Sequence, residues 1–342
     1  MTPAELSHTV LRAVRRAVDD GELGVGAVDT VERGRARIVV ERPRAGGHGD
    51  YATNVALQLA GPAGRSPRQV AEVLSQRLVD SPGIAAVDVS GPGFLNLTLS
   101  AEGPGPSHSL LLDIRRHGLA HGHGDALRGH RIDLRIPREP RAEILADAVA
   151  RIGRSQAADV EVAYADEAGT VTFRPVPADP RGLGVDAGRW ALLHPAAHDR
   201  PRVESVEDRA HHLAQRESNP LFRVRYAHAR SRALTRNAAD LGFTSEPGDL
   251  EGDGRELLAV LAEQPRVLAA AARHRAPDRL ARHLVEVADA FLTDARISVG
   301  ALPKGEEKPS AAHRARLALA EAVGTVLAGG LTLLGIDAPA HL

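Results

Sequence analysis

The hydrophobic period changes once along this chain, and that change limits what each half can fold into. From Val185 onward the strand-like alternation stops. Apolar residues then recur at helical spacing through Val206–Leu241, Arg255–Leu261, Pro277–Ile297 and Ala311–Leu334. A series of amphipathic helices buries its apolar stripes most readily against itself, so this half is expected to be an all-α bundle. The polar segment Pro303–Pro309 separates its last two helices.

Before Val185 the two periods alternate. Val10, Leu11, Val14 and Val18 share one helical face, and Gly21 ends the run. Ala36–Val40 reads as a strand. Ser66-Pro67 forms a cap and first-turn pair ahead of Val70, Val73, Leu74 and Leu78. Ile84–Val89 and Phe94–Leu99 read as strands joined through Gly91-Pro92-Gly93. A small α/β domain with a mostly antiparallel sheet is therefore expected over 1–104. Residues 101–128 read as a connector, followed by a strand at Arg131–Ile136 and a helix at Glu139–Ile152. Val160–Ala165 and Thr170–Pro175 read as a hairpin across Asp166–Gly169. This middle part, 105–183, is small for an independent domain. The expected fold class is α+β: the N-terminal domain, a reduced α/β middle, and a helical bundle over 184–342.

Composition removes several functions. Cysteine is absent, which excludes disulfides, thiolate catalysis and Cys-based zinc sites. The formal net charge of -1 gives no whole-chain signal for nucleic acid, so any RNA-binding surface must arise from local clustering. The N-terminus alternates apolar and charged residues, unlike a secretory signal, and no stretch of about 18 apolar residues lacks a charge. No membrane association and a cytoplasmic location are expected. Lysine occurs only at positions 304 and 308.

Four ordered stretches carry a family resemblance. They are Gly49–Ala56 followed by Gly91–Leu97, then Gly184–Leu193, then Asn219–Arg230, and finally the helices ending Leu331–Ile336. Together they resemble arginyl-tRNA synthetase over roughly 1–100 and 184–342. The resemblance implies an N-terminal additional domain that meets the tRNA elbow and a DALR-type anticodon-binding domain. Class I synthetases also carry a His-x-Gly-His motif after the first catalytic strand and a mobile lysine loop. Here Pro137-Arg138-Glu139-Pro140-Arg141 follows the candidate strand with neither histidine nor glycine, and no lysine precedes the helical half. His121-Gly122-His123-Gly124 has the right letters but lies before that strand instead of after it. The catalytic domain is thus expected to be missing, and with it any catalytic residue or cofactor.

Site candidates follow from spacing and from the resemblance. Arg223, Tyr226 and Arg230 stand at i, i+3 and i+7, placing a phenol between two guanidinium groups on one helix face. Such a surface suits single-stranded RNA, and the resemblance assigns anticodon contacts to Tyr226 and Arg230. The resemblance also places Asp50, Tyr51 and Asn54 at the tRNA elbow. The structural alternatives are a turn or helix cap for Asp50, core packing for Tyr51, and a tyrosine packed within the bundle for Tyr226. Asn96 and His228 read as structural. Ala290-Phe291 is followed by Leu292-Thr293-Asp294, where the family carries further aromatic character. No metal site is expected, because adjacent His211 and His212 diverge on a helix and no carboxylate lies between His194 and His198. The row Glu139, Glu143 and Asp147 reads as a solvated face.

The function expected is that of a noncatalytic arginyl-tRNA synthetase-like protein that binds tRNA, arginine tRNA by resemblance, through elbow and anticodon. The alternatives are a regulatory scaffold with a protein partner that no longer binds RNA, and a subunit of a split arginine-tRNA ligase.

Overall fold

The computed structural model describes residues 3–32, 38–41, 43, 49–81, 83–99, 105–165, 180–250 and 252–342. It contains two compact units, Met1–Leu110 and Leu111–Leu342.

In the first unit, α1 (Pro3–Asp19), α2 (Gly26–Glu32), α3 (Val55–Ala63) and α4 (Pro67–Val79) accompany β1 (Val40–Glu41), β2 (Tyr51–Thr53), β3 (Ile84–Ser90) and β4 (Phe94–Leu99). The sheet order is β1-β2-β4-β3, with every pair antiparallel. Ser90 pairs with Phe94, so the Gly91-Pro92-Gly93 turn spans three residues, as its glycines suggest. Gly93 has φ +140°, and a Cβ there would stand 2.8 Å from the Pro67 carbonyl oxygen, so only glycine fits between the hairpin and α4. At the start of α4, Ser66 Oγ accepts from Gln69 N at 3.3 Å while Gln69 Oε1 accepts from Ser66 N at 3.0 Å. This reciprocal cap fixes the helix start. Leu6, Val10 and Val14 of α1 join Leu59, Leu74, Leu78, Leu95 and Leu97 in one fully buried core. Each buried leucine contributes about 2 kcal/mol. Of the strand expected at Ala36–Val40, residues 36 and 37 lie outside the described residues.

The second unit begins within α5 (Pro106–His117), which a short 3-10 turn at Gly118–Ala120 follows. Then come β5 (Arg131–Ile136), α6 (Pro140–Ser155) and β6 (Asp159–Tyr164). β5 and β6 pair in parallel from Arg131↔Asp159 to Ile136↔Tyr164. The strand read as one arm of a hairpin is therefore the second strand of a βαβ unit, because α6 supplies the long crossover that parallel pairing needs. The other arm, Thr170–Pro175, lies outside the described residues. α6 packs against the helices that follow, so the middle segment and the bundle form one unit.

The bundle comprises α7 (Val185–Leu193), α8 (Val206–Leu213), α9 (Pro220–Asp240), α10 (Arg255–Ala262), α11 (Gln264–His274), α12 (Pro277–Thr293), α13 (Ala295–Ser298) and α14 (Ala311–Leu334). The continuous period over 206–241 breaks at Asn219-Pro220. Asn219 Oδ1 accepts from Leu221 N at 3.1 Å, its Nδ2 donates to the His212 and Ala214 carbonyls at 2.9 Å, and Pro220 opens α9. Likewise Asp294 ends α12 and caps α13, accepting from Arg296 N at 3.0 Å and Ile297 N at 3.2 Å. α9, α12 and α14 pack tightly because glycines lie at their crossings. A Cβ at Gly324 would meet Ser231 Oγ at 2.3 Å, and one at Gly330 would meet Leu284 Cδ2 at 2.4 Å. By length and composition α14 is apolar enough to cross a membrane, but 78% of its most apolar window is buried as the core of the bundle.

Candidate nucleic-acid interface

The first turns of α9 carry the aromatic surface. Tyr226 is 41% exposed, and its ring stacks on that of Phe222 with centroids 5.8 Å apart and planes 15° from parallel. The pair stands at i and i+4, so helical geometry brings the rings together. The phenol is therefore not packed in the core. The two flanking guanidinium groups are held more closely than their spacing suggested. Arg223 Nη1 lies 3.0 Å from Asp289 Oδ1 on α12, and Arg230 Nε donates to the Ser298 carbonyl at 2.9 Å. Both remain half-buried beside Tyr226, tethered at one edge of the guanidinium. Phe291 is fully buried, and no aromatic side chain takes the positions 292–294 that follow it. The ring that sequence reasoning missed is Phe222, whose signal was its i, i+4 spacing from Tyr226.

The stretches after Gly184 that carried the resemblance converge in the bundle. Asp186 of α7 pairs with Arg225 of α9, and Asp186 Oδ1 accepts from Asp337 N at 3.3 Å. Arg189 pairs with Asp147 of α6 and donates from Nε to the Leu334 carbonyl at 3.0 Å. A Cβ at Gly335, where φ is +70°, would stand 2.5 Å from Arg189 Nη2. Trp190 is 1% exposed and stacks on His194 at 5.2 Å. His228 is buried, with Nδ1 2.9 Å from the Pro339 carbonyl. Burial holds its pKa below the ordinary histidine value despite that acceptor. Much of the shared sequence thus fixes the geometry of α9 and its neighbours.

In the first unit the three candidates separate. Tyr51 is 8% exposed and belongs to the core, the packing alternative of the two readings given for it: β2 turns it inward with Thr53. Asp50 is exposed, but its Oδ2 accepts from Leu99 N at 2.8 Å, tying the start of β2 to the end of β4. Asn54 is exposed at the start of α3, and its Oδ1 accepts from Gln58 Nε2 at 2.7 Å. Asn96 is buried and donates to Ser90 Oγ at 2.8 Å. Arg77 is engaged with Asp20 at 2.7 Å and Glu22 at 2.9 Å, and Arg68 with Glu72 at 3.3 Å.

The βα turn after β5 is where an open parallel sheet would meet a nucleotide. Here Glu139 is the residue preceding α6. Its Oε2 accepts from Ala142 N at 2.8 Å, and Pro140 removes another donor at the first helical position. Arg138 lies 4.2 Å over the Tyr164 ring, and Tyr164 Oη donates to Glu143 Oε1 at 3.1 Å. Arg141 is fully buried, and its guanidinium donates at 2.8 Å to the Ala196 and Asp199 carbonyls. Asp147 is paired with Arg151 at 3.1 Å. Each acid of the row Glu139, Glu143 and Asp147 therefore has an intrachain partner. His121–Gly124 sits at the opposite end of the unit: the Gly122 carbonyl accepts from Gln156 Nε2 at 2.9 Å, and Gly124 N donates to Ser155 O at 2.9 Å. That end lies against the C-terminus of α6, away from the carboxyl ends of the strands.

The other histidines considered as ligands do not converge. His212 Nε2 is 2.8 Å from the Arg202 carbonyl, and the His211 and His212 rings meet edge to face at 5.9 Å. His194 faces Trp190, whereas His198 is exposed beside Asp199 at 3.6 Å. Burial, with Arg282, His212 and Arg223 nearby, holds the His194 pKa below its ordinary value. A grouping the sequence reading missed is Asp113, His117 and His121, at i, i+4 and i+8 across the end of α5.

Residues 5–99 match the arginyl tRNA synthetase N terminal domain family, and residues 224–342 match the DALR anticodon binding domain family. An arginine–tRNA ligase of Frankia alni is 28% identical in an alignment of 566 residues that covers 100% of both chains. The ligase of Micrococcus luteus is 38% identical over 238 residues, 64% of this chain and 42% of that one. The solved arginyl-tRNA synthetase of Thermus thermophilus shares the fold, with a TM-score of 0.63 at 13% identity over 100% of both chains. That of Plasmodium falciparum has a TM-score of 0.55 at 9% identity, covering 93% of this chain and 98% of its own. The fold is that of the solved arginyl-tRNA synthetases, with an antiparallel N-terminal domain and a helical C-terminal domain of the anticodon-binding type. More specifically, the chain carries the arginyl-tRNA synthetase N-terminal and DALR domains and is homologous to full-length arginine–tRNA ligases.

Proposed function

We propose that this protein is a noncatalytic arginyl-tRNA synthetase-like tRNA-binding protein of the cytoplasm, one that holds tRNA, with arginine tRNA preferred, and does not charge it. The observation that carries the reading is the βα turn at 137–141. A phosphate needs open backbone donors and positive potential at a helix N-terminus. Glu139 places a carboxylate on those donors, and Pro140 removes one. Two further facts support it. The Frankia alni alignment is 566 residues long against a chain of 342, so a large block of that ligase has no counterpart here. The two lysines of the chain, at 304 and 308, both follow α9. The exposed Tyr226 ring, backed by the half-buried Phe222, then supplies a platform for unpaired bases.

The purified chain is expected to bind arginine tRNA in filter assays and to give no arginine-dependent ATP–pyrophosphate exchange. Tyr226→Ala is expected to weaken binding roughly 5- to 150-fold, matching about 1–3 kcal/mol for one stacked base. Exchange by the isolated chain would defeat the noncatalytic reading. Absence of tRNA binding at low salt would instead favour a scaffold that recognises protein, a reading to which the tethering of Arg223 and Arg230 lends support.

A further inference from the structure

We propose that Asp113, His117 and His121 form a binding site for a divalent first-row transition metal of the zinc class, closing the end of α5 onto the turn that follows it. Asp113 and His117 lie one helical turn apart on α5, and His121 follows the 3-10 turn at 118–120. Past that turn the third side chain meets the same Asp113 carboxylate. His117 Nδ1 is 3.1 Å from Asp113 Oδ1, and His121 Nδ1 is 3.2 Å from Asp113 Oδ2. One potential donor atom from each of the three residues lies within 4.8 Å of the other two. In a tetrahedral site with bonds of about 2.0–2.1 Å, donors stand roughly 3.4 Å apart, and each imidazole already lies near that distance from one oxygen of the Asp113 carboxylate, His117 from Oδ1 and His121 from Oδ2.

His121 supplies the independent observation. Its side chain is 3% exposed; Nδ1 lies 3.2 Å from the Asp113 carboxylate, while Nε2 is buried without a hydrogen bond. A buried imidazole in that condition is costly unless something else satisfies it. The turn is held rigidly. A Cβ at Gly122 would stand 2.9 Å from Leu268 Cδ1, and the Leu119 carbonyl lies against Gly329 of α14. His117 is half-exposed and Asp113 about one-third exposed, so ions and water reach the site from outside. On binding through Nδ1, His117 would exchange its 3.0 Å contact with the Asp113 carbonyl for the metal. Two imidazoles and one carboxylate leave room for a water as fourth ligand, a donor set that suits zinc, cobalt or nickel better than calcium or magnesium.

The test uses the full chain, freed of metal by chelator and titrated with Zn2+ by calorimetry and with Co2+ by visible absorption. The expected result is one equivalent bound per chain, with d–d bands of tetrahedral intensity. His117→Ala and Asp113→Asn each should weaken binding at least ~10-fold. Both alter accessible side chains, so their thermal midpoints in chelator report whether the fold is kept. His211→Ala/His212→Ala is expected to leave binding unchanged. Failure of the wild-type chain to bind one equivalent would overturn the proposal. So would equal affinity in both cluster variants, which would assign the binding to scattered surface histidines.

Discussion

At the scale of single residues, what separates a functional from a structural side chain here is its partner. Tyr226 and Tyr51 are both in motifs shared with the synthetases, yet one is 41% and the other 8% exposed. Strand alternation turns Tyr51 inward, whereas Tyr226 leaves α9 beside Phe222. The spacing of Arg223, Tyr226 and Arg230 made their common face legible in the sequence. Their partners Asp289 and Ser298, far along the chain, were not legible. His283 shows what a buried group without a hydrogen bond does. It is 3% exposed, its Nε2 has no hydrogen bond, and burial with Arg266 nearby lowers its pKa to about 4. The unfolded chain then takes up a proton near pH 6.5 that the folded chain refuses until about 4. Stability from this residue is accordingly complete above 6.5 and lost as pH falls through the folded value, a total on the order of 3 kcal/mol. In His283→Leu, urea unfolding measured between pH 7 and 4.5 is expected to show a slope smaller by up to one proton, about 1.4 kcal/mol per pH unit. An unchanged slope would mean that His283 is already protonated in the fold.

At the scale of elements, local chemistry was legible and long-range pairing was not. Ser66-Pro67 and Gly91-Pro92-Gly93 act within a few residues, so the start of α4 and the β3–β4 hairpin follow from sequence. The parallel pairing of β5 with β6 joins strands separated by α6, and no local signal encodes it. The break between α8 and α9 lay within a continuous helical period, but Asn219-Pro220 marks it by cap chemistry. Close helix contacts are equally hidden, since a glycine within a helix reads only as a weak helix former. Gly329→Ala distinguishes packing from propensity. Its Cβ would stand 2.6 Å from the Leu119 carbonyl oxygen, and a backbone atom cannot rotate away. Overpacking is expected to outweigh the propensity gain of about 1 kcal/mol, for a net loss of about 1–2 kcal/mol in denaturant unfolding. Gly61→Ala in α3 makes the same chemical change where, its chain neighbours and own helix backbone apart, no atom lies within 4 Å, but Pro62 follows it. The pre-proline restriction offsets the propensity gain, so a net change within about 0.5 kcal/mol is expected. Equal effects at the two positions would remove the steric account.

For the whole molecule, charge is balanced by pairing as well as by number. Forty-three basic residues face forty-four acidic ones. Many arginines are committed within the chain: Arg77 to Asp20 and Glu22, Arg131 to Asp133 and Glu161, Arg189 to Asp147, Arg225 to Asp186, and both Arg296 and Arg316 to the buried Asp253. Burial alone would raise the Asp253 pKa, but hydrogen bonds from those two arginines hold it below the usual carboxylate range. Each of the guanidinium groups named here would have to give up an intrachain carboxylate before it could neutralise a phosphate. Stacking and shape must then supply more of the affinity for RNA than charge does. Each phosphate neutralised contributes about −0.7 to −0.9 to the slope of log affinity against log salt. Filter binding of tRNA at four salt concentrations is therefore expected to give a shallow slope of about −2 to −3, the release expected from three or four phosphates. Tyr226→Ala should reduce affinity in parallel at every salt concentration and leave that slope unchanged, because a lost stack releases no ions. A slope much steeper than −4, or one that Tyr226→Ala flattens, would show that RNA binding breaks the internal arginine pairs and that the phosphate backbone, not the aromatic platform, dominates recognition.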